Sequence, residues 1–266
     1  MIEIFHELNK ENIFFKDDEF LLVKEDSLQL LKKMNDESVD MIFADPPYFL
    51  SNNGITCSSG KMVSVNKGKW DTLNSLEEIH TFNTSWLKEC QRILKKDGTI
   101  WISGTFHNIY SIGMALNELR YKILNNITWY KRNASPNLAC RYFTHSTETV
   151  LWAKKSEKAK HYFNYSLMKE INNGKQMRDV WDIPTTKKSE KKHGKHPTQK
   201  PIALLERIIL ASTTENQLIL DPFNGSGTTG IVATKLNRKY IGIDLEEEFL
   251  SLTEKRYKDD VQLSIF

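Results

Sequence analysis

Phe20-Leu21-Leu22-Val23-Lys24-Glu25-Asp26 runs into Ser27-Leu28-Gln29-Leu30-Leu31-Lys32-Lys33-Met34 and, past a polar turn, into Val39-Asp40-Met41-Ile42-Phe43-Ala44. The first segment is an apolar run of strand length that ends in acids. The second spaces its leucines as one face of a capped helix, and the third is again apolar and strand-like. Strand, helix and strand at this separation predict a βαβ unit with parallel strands and a right-handed crossover. Ligands of such sheets gather at the carboxyl ends of the strands. Asp26 and Asp45 therefore fall along one rim.

The third segment leaves the sheet through Asp45-Pro46-Pro47-Tyr48-Phe49. Two prolines fix consecutive φ angles, push the residue before each out of the helical region and remove two backbone donors. The exit is stiff, with its carbonyls free. Asp45 and the Pro46 carbonyl are acceptors, and Tyr48 adds an aromatic face, a set suited to a flat heterocycle with an exocyclic amino group. Asp45, Pro46, Pro47 and Tyr48 are accordingly the catalytic candidates. A plainer account fits the same residues: a buried strand that stops at a proline turn, with Asp45 as a helix cap.

A chain of 266 residues, 39% hydrophobic and 27% charged, is long enough for one large α/β domain with an insertion. A net charge of +3 permits nucleic-acid binding without demanding it. Cys57, Cys90 and Cys140 are odd in number and widely spaced, which argues against a disulfide framework or a zinc site. His107 and His145 stand without companions at metal spacing, so no metal is expected. The N-terminus alternates charged and apolar residues and offers no long apolar run. The expectation is a soluble cytoplasmic protein with no membrane span.

Further along, Ser51 to Lys69 reads as a polar loop carrying Lys61, Lys67 and Lys69, placed to act as a lid beside Asp45. Leu76 to Leu94 is predicted as a core-packed helix ended by Lys95-Lys96-Asp97-Gly98, followed by a strand over Thr99 to Gly104. A helix from Asn108 to Leu119 and strands over Ile123 to Tyr130 and Thr149 to Ala153 come next. Between Lys154 and His196 the composition turns basic, with Lys187, Lys188, Lys191 and Lys192 among its cations and Tyr162, Phe163, Tyr165 and Trp181 interleaved. Such a mixture suits a surface that follows phosphates and touches bases. A solvated charged face is the plainer reading. Lys131, Arg132 and Arg141 form a second, smaller patch.

A second constellation follows in Gln217-Leu218-Ile219-Leu220-Asp221-Pro222-Phe223-Asn224-Gly225-Ser226-Gly227-Thr228-Thr229-Gly230, a strand entering a glycine-rich turn and a helix over Ile231 to Leu236. Glycines let backbone approach a small molecule, and helix N-terminal amides offer donors to a negative group. No lysine follows the glycines, which argues against a triphosphate loop. Tyr240-Ile241-Gly242-Ile243-Asp244 is a strand with an acid at its end, suited to ribose hydroxyls. Gly225, Gly227 and Gly230 also fit the dinucleotide pattern, so on these residues alone a nicotinamide enzyme competes.

Asp45 to Tyr48, followed by the glycine turn, resembles the amino-methyltransferases of DNA, in the β group, where the catalytic tetrapeptide precedes the cofactor loop. His196-Pro197-Thr198-Gln199-Lys200-Pro201 is similar to that family's segment before the cofactor strand, and Asp26 stands at the position of its adenine-side acid. Arg141 to Thr149, with Ala44 to Ser51 and Gly194 to Pro201, resembles the second adenine methyltransferase of Dpn-type restriction systems. The resemblance implies an α/β, Rossmann-like fold with a circularly permuted, seven-stranded mixed sheet and an inserted target-recognition region. It implies S-adenosyl-L-methionine as cofactor, with Asp26, Thr198, Lys200, Asp221, Pro222, Phe223, Gly225, Ser226, Gly227, Thr228 and Asp244 around it, Lys200 and Thr198 at the methionine end. It implies adenine-N6 methylation of DNA in GATC, as protection against a cognate restriction endonuclease. Residues 1–153 then form the catalytic half, 154–195 the target-recognition insertion and 196–266 the cofactor-binding half. DNA is the partner, contacted through Lys131, Arg132, Arg141, Lys187, Lys188, Lys191 and Lys192, and a homodimer is compatible. Cytosine-N4 or RNA methylation, and a DNA-binding regulator on a degenerate scaffold, stay open.

Overall fold

The computed structural model describes residues 1–49, 55–58, 61–64, 75–194 and 196–260. The chain opens with strands β1 (Ile13–Lys16) and β2 (Phe20–Lys24), helix α1 (Ser27–Lys32) and strand β3 (Val39–Ala44). The stretch expected to be a loop contains a hairpin, β4 (Ile55–Ser58) paired antiparallel with β5 (Lys61–Ser64). Lys67 and Lys69 of that stretch lie outside the described residues. Helix α2 (Leu76–Ile93) starts where Ser75 and Glu78 form a reciprocal capping box. Then come β6 (Leu94–Gly104), α3 (Ile109–Glu118), β7 (Lys122–Tyr130), β8 (Thr147–Lys154), α4 (Tyr165–Ile171) and β9 (Val180–Asp182). The chain closes with α5 (Ile202–Ser212), β10 (Leu218–Asp221), α6 (Thr228–Lys235), β11 (Lys239–Asp244) and α7 (Glu247–Asp260).

The main sheet holds nine strands in the order β1-β2-β11-β10-β3-β6-β8-β7-β9. The expected count of seven therefore needs correcting: short strands β1 and β9 extend the edges. From β2 to β6 all neighbours are parallel, and β8 runs antiparallel to both β6 and β7. β6 begins at Leu94, opposite Val39, so Lys95 to Gly98 belong to a strand and not to a helix-ending turn.

Alternation along the strands builds two cores. In β2 and β3, Leu21, Val23, Ile42 and Ala44 face one side with α1, α2 and α3, while Phe20, Leu22, Met41 and Phe43 face α5, α6 and α7. Helix α5 buries Leu204, Leu205, Ile208 and Ile209 completely, each contributing about 1.5–3 kcal/mol. Its N-terminus takes a cap from elsewhere: Glu190 Oε2 accepts the Ile202 amide at 2.9 Å.

Strands β10 and β3 are neighbours, yet the chain leaves β10 toward β11 on one side and leaves β3 toward β6 on the other. That divergence opens a crevice at their carboxyl ends. Asp221 ends β10 and Asp45 follows β3, so the switch point carries an acid from each half of the chain.

Candidate active site

Asp45 and Tyr48 sit at the centre of a buried charged network. Tyr48 donates to Asp45 Oδ1 at 2.6 Å, and Lys200 Nζ donates to Asp45 Oδ2 at 2.5 Å and to the Tyr48 hydroxyl at 3.0 Å. Glu148, at the start of β8, accepts from Tyr48 at 3.5 Å, lies 3.7 Å from Lys200 Nζ and is bridged at 3.0 Å by Lys131. Two carboxylates and two ammonium groups thus balance each other out of water. Burial pushes the Asp45 carboxyl up from its ordinary range, and the Lys200 charge pulls against that rise. Burial opposes the charge on Lys200, but Asp45 and Glu148 outweigh it and hold the ammonium protonated. The Tyr48 hydroxyl is driven well up by burial and by both acids, so it stays a donor.

The tetrapeptide is pinned from behind. Asn108, the residue before α3, donates its side-chain amide to the Pro47 carbonyl at 2.8 Å and accepts from Asn83 of α2 at 2.6 Å. Among the described residues no donor meets the Pro46 carbonyl, which remains free for a ligand.

The crevice widens into a cavity of about 390 Å³, a size typical of small-molecule sites. Its polar wall is the turn after β10. Asp221 accepts the Phe223 amide at 3.0 Å and the Thr229 hydroxyl at 2.6 Å, which shapes the turn from inside; burial lifts its carboxyl to about 7. Asp244 accepts the amides of Gly225 at 2.7 Å and Glu246 at 3.0 Å, and burial lifts it to about 6. Pro222, Ser226 and Thr228 line the same wall. Gly225 has φ +50°, and a Cβ there would come within 3.2 Å of the His196 ring. Phe43, Phe82, Trp86, Phe223 and Phe249 make the apolar side. Asp26 lines the cavity too, while its carboxylate caps α1 through the Gln29 amide at 2.9 Å.

Two expected cofactor residues have other surroundings. Gly227 faces away from the cavity, toward α7: a Cβ on it would lie 2.2 Å from Thr253 Cγ2, and its φ of +71° is one that glycine tolerates. Lys200 reaches across to Asp45, and only Thr198 of that pair stays on the cavity wall without such a tie.

Residues 39–255 match the N6_N4_Mtase model, described as DNA methylase. This chain belongs to that family. It is 62% identical over 244 residues to the Type II methyltransferase M2.LlaDCHI of Lactococcus lactis subsp. cremoris, and 61% identical over 244 residues to M2.DpnII of Streptococcus pneumoniae, with 91% of each chain covered in both cases. Among solved structures it resembles M1.HpyAVI in complex with SAM, at a TM-score of 0.67 and 28% identity over 89% of this chain and 98% of that one. It is therefore an enzyme that methylates DNA using S-adenosyl-L-methionine.

For a DNA methylase, the placement of its basic residues decides which can meet phosphate. Lys131 is 16% exposed and is held by Glu148, so it serves the charged network and not a phosphate. Lys192 pairs with Asp260 at 2.7 Å and Arg132 with Asp182 at 2.8 Å. Lys187, Lys188 and Arg141 are exposed, and Lys191 is half-buried. Trp181 is buried under the Arg207 guanidinium, 5.0 Å from the ring centroid, and packs as core. Glu148 and Asn108 escaped the reading of the sequence. Their only local signal is a polar residue bordering an apolar run. Among the described residues no cluster of His, Cys, Asp or Glu could hold a metal, and no helix is long and apolar enough to cross a membrane.

Proposed function

We propose that this methylase transfers the methyl group to N6 of adenine in duplex DNA, within GATC, and so protects DNA from a cognate restriction endonuclease. One observation carries the reading: Asp45, Tyr48 and the glycine turn wall the same cavity. The bound cofactor supplies an electrophilic sulfonium methyl. The donor set fits it, since Asp244 offers a carboxylate to ribose hydroxyls, Asp26 stands on the adenine side, and the Phe223 to Thr228 turn with Thr198 suits the methionine part. The acid at the first tetrapeptide position supports adenine, as does the resemblance to Dpn-type enzymes.

An adenine inside a duplex cannot present its amine, so the base must leave the stack at a cost of a few kcal/mol. Asp45 and the Pro46 carbonyl then accept its two hydrogens, which favours a pyramidal, more nucleophilic nitrogen, and positioning supplies much of the rate. Lys200 keeps Asp45 ionised for that role, and yields or shares Oδ2 as the amine arrives. After transfer the nitrogen sheds a proton, for which Asp45 is the nearest acceptor. The Lys200 contact and the Tyr48 hydroxyl also change the part assigned to Tyr48: it orients Asp45 as well as offering a ring.

The half-exposed aromatics of residues 154–195, with Lys187 and Lys188, support target recognition by that stretch, set between a catalytic half (1–153) and a cofactor half (196–266). A palindromic target invites two copies, one per strand, which sedimentation with and without DNA reads. The setting is the cytoplasm, where DNA and cofactor meet.

Mass spectrometry of digested oligonucleotides, with and without GATC, tests the reaction. N6-methyladenine confined to the GATC duplex is expected; N4-methylcytosine would overturn the base, and equal modification of both duplexes would overturn the site. Asp45→Ala should abolish turnover and leave cofactor affinity within about twofold, because the residue acts on the amine in the transition state.

A further inference from the structure

Phe143 is 97% exposed and Tyr142 61%, at the tip of the segment joining β7 to β8. Side chains this apolar gain nothing from water, and a cluster of them marks a contact surface. The cluster is ordered by its neighbours. The Tyr142 ring lies 5.4 Å from His145, which stacks at 5.2 Å on Phe106, itself 51% exposed. The segment is closed at its base by the Lys131 amide donating to the Ser146 carbonyl at 2.7 Å. Asn137 braces its interior, donating to the Tyr142 carbonyl at 2.7 Å and accepting the Ala139 amide at 3.0 Å. Phe143 is thus held out by a built loop.

Register places this loop beside the catalytic rim. Ala44 is level with Ile102 and Gly104 with Thr149, so Phe106, two residues past Gly104, stands next to the tetrapeptide, which Asn108 already holds. Glu148, a few residues beyond Phe143, touches Tyr48. Arg141, exposed on the same loop, suits phosphate.

We infer that Phe143, backed by Tyr142, enters the duplex at the target and fills the space left by the extruded base. Apolar side chains that wedge between base steps offset unstacking, and aromatic stacking is indifferent to sequence. The occupant is duplex DNA, because the patch is continuous with the site where a base must leave its stack. This role rests on the base-extrusion reading above.

The test compares wild-type enzyme with Phe143→Ala and Phe143→Trp, with saturating cofactor, on two GATC duplexes. One has the target adenine paired with thymine, the other has it opposite an abasic site, where no base pair is left to break and the space across the helix is already open. Phe143→Ala should lose roughly tenfold to a hundredfold in kcat/KM on the paired duplex and under about threefold on the abasic one. Phe143→Trp should keep most activity, and melting temperature and cofactor affinity should not change. Equal losses on both duplexes, full activity of Phe143→Ala on the paired duplex, or a shift from dimer to monomer in light scattering would each overturn the wedge. A wild-type enzyme inactive on both duplexes would instead overturn the adenine reading itself.

Discussion

Replacing Lys200 by Met tests the charged network at its centre. The ammonium is 6% exposed and bonds Asp45 Oδ2 at 2.5 Å, with Glu148 at 3.7 Å. Removing it leaves Asp45 buried without its counter-charge, while Glu148 keeps Lys131 at 3.0 Å. Breaking a buried pair by deleting one partner costs about 3–5 kcal/mol. At about 2–4 °C per kcal/mol for a chain of this size, the melting temperature should fall by roughly 10 °C. Asp45→Asn in the Lys200→Met background removes the stranded charge and should recover part of that loss.

The kinetic consequence has a definite sign. Asp45 already titrates above its ordinary range because it is buried, and Lys200 is the largest influence pulling it down. Without Lys200 it rises further. An acceptor carboxylate works only when ionised, so the acid limb of the kcat profile should move to higher pH, with activity recovering as pH increases. Glu148→Gln alone should move that limb the other way, since Glu148 raises Asp45. The assay is transfer of labelled methyl between about pH 5 and 9 at saturating cofactor. A uniform drop in kcat with the limb unmoved would refute the claim that Lys200 acts through the ionisation of Asp45.

Asp244→Ala should weaken cofactor binding by about 1.5–3 kcal/mol in calorimetry, the worth of hydrogen bonds to a charged group. Because burial lifts Asp244 to about 6, wild-type affinity should decline as pH falls through that value and the carboxylate gains a proton. Gly227→Ala should cost about 1–3 kcal/mol of stability in chemical unfolding, since φ is +71° and the new Cβ would meet Thr253; the cofactor affinity of the folded fraction should hold. Lys187→Ala with Lys188→Ala should flatten the salt dependence of DNA binding, the slope falling by about 1 for each phosphate no longer neutralised, while Lys192→Ala, already paired with Asp260, should leave the slope alone.

The fold was legible where local pattern and tertiary burial agree. Phe20 to Val23 and Met41 to Ala44 are apolar on both faces because helices cover both sides of the sheet, and the sequence shows that as continuous apolar runs within the two strands. Asp45 and Asp221 were legible for a related reason, each being an acid directly at or after such a run. The edge strands were not. β9 spans only Val180–Asp182 and forms because β7 offers it a parallel edge, a condition with no local trace. The run Leu94 to Gly98 looked like a helix end because Lys95, Lys96 and Asp97 are exposed, yet its backbone begins the strand beside Val39.

Charged side chains were the hardest to assign because their partners lie far along the chain. Lys200 meets Asp45 across a separation of 155 residues, and no window of sequence contains both. In the linear order Lys200 belongs with His196 and Thr198, and so with the cofactor. The sheet reverses that grouping. Inserting β10 and β11 between β2 and β3 brings the segment before α5 over the end of β3, where a buried acid needs a counter-charge. Glu148 completes the balance from a third part of the chain and draws Lys131 inward with it. A lysine count in the sequence therefore overstates the cations free for phosphate: Lys131 is withdrawn into the network, while Lys187, Lys188 and Arg141 stay exposed.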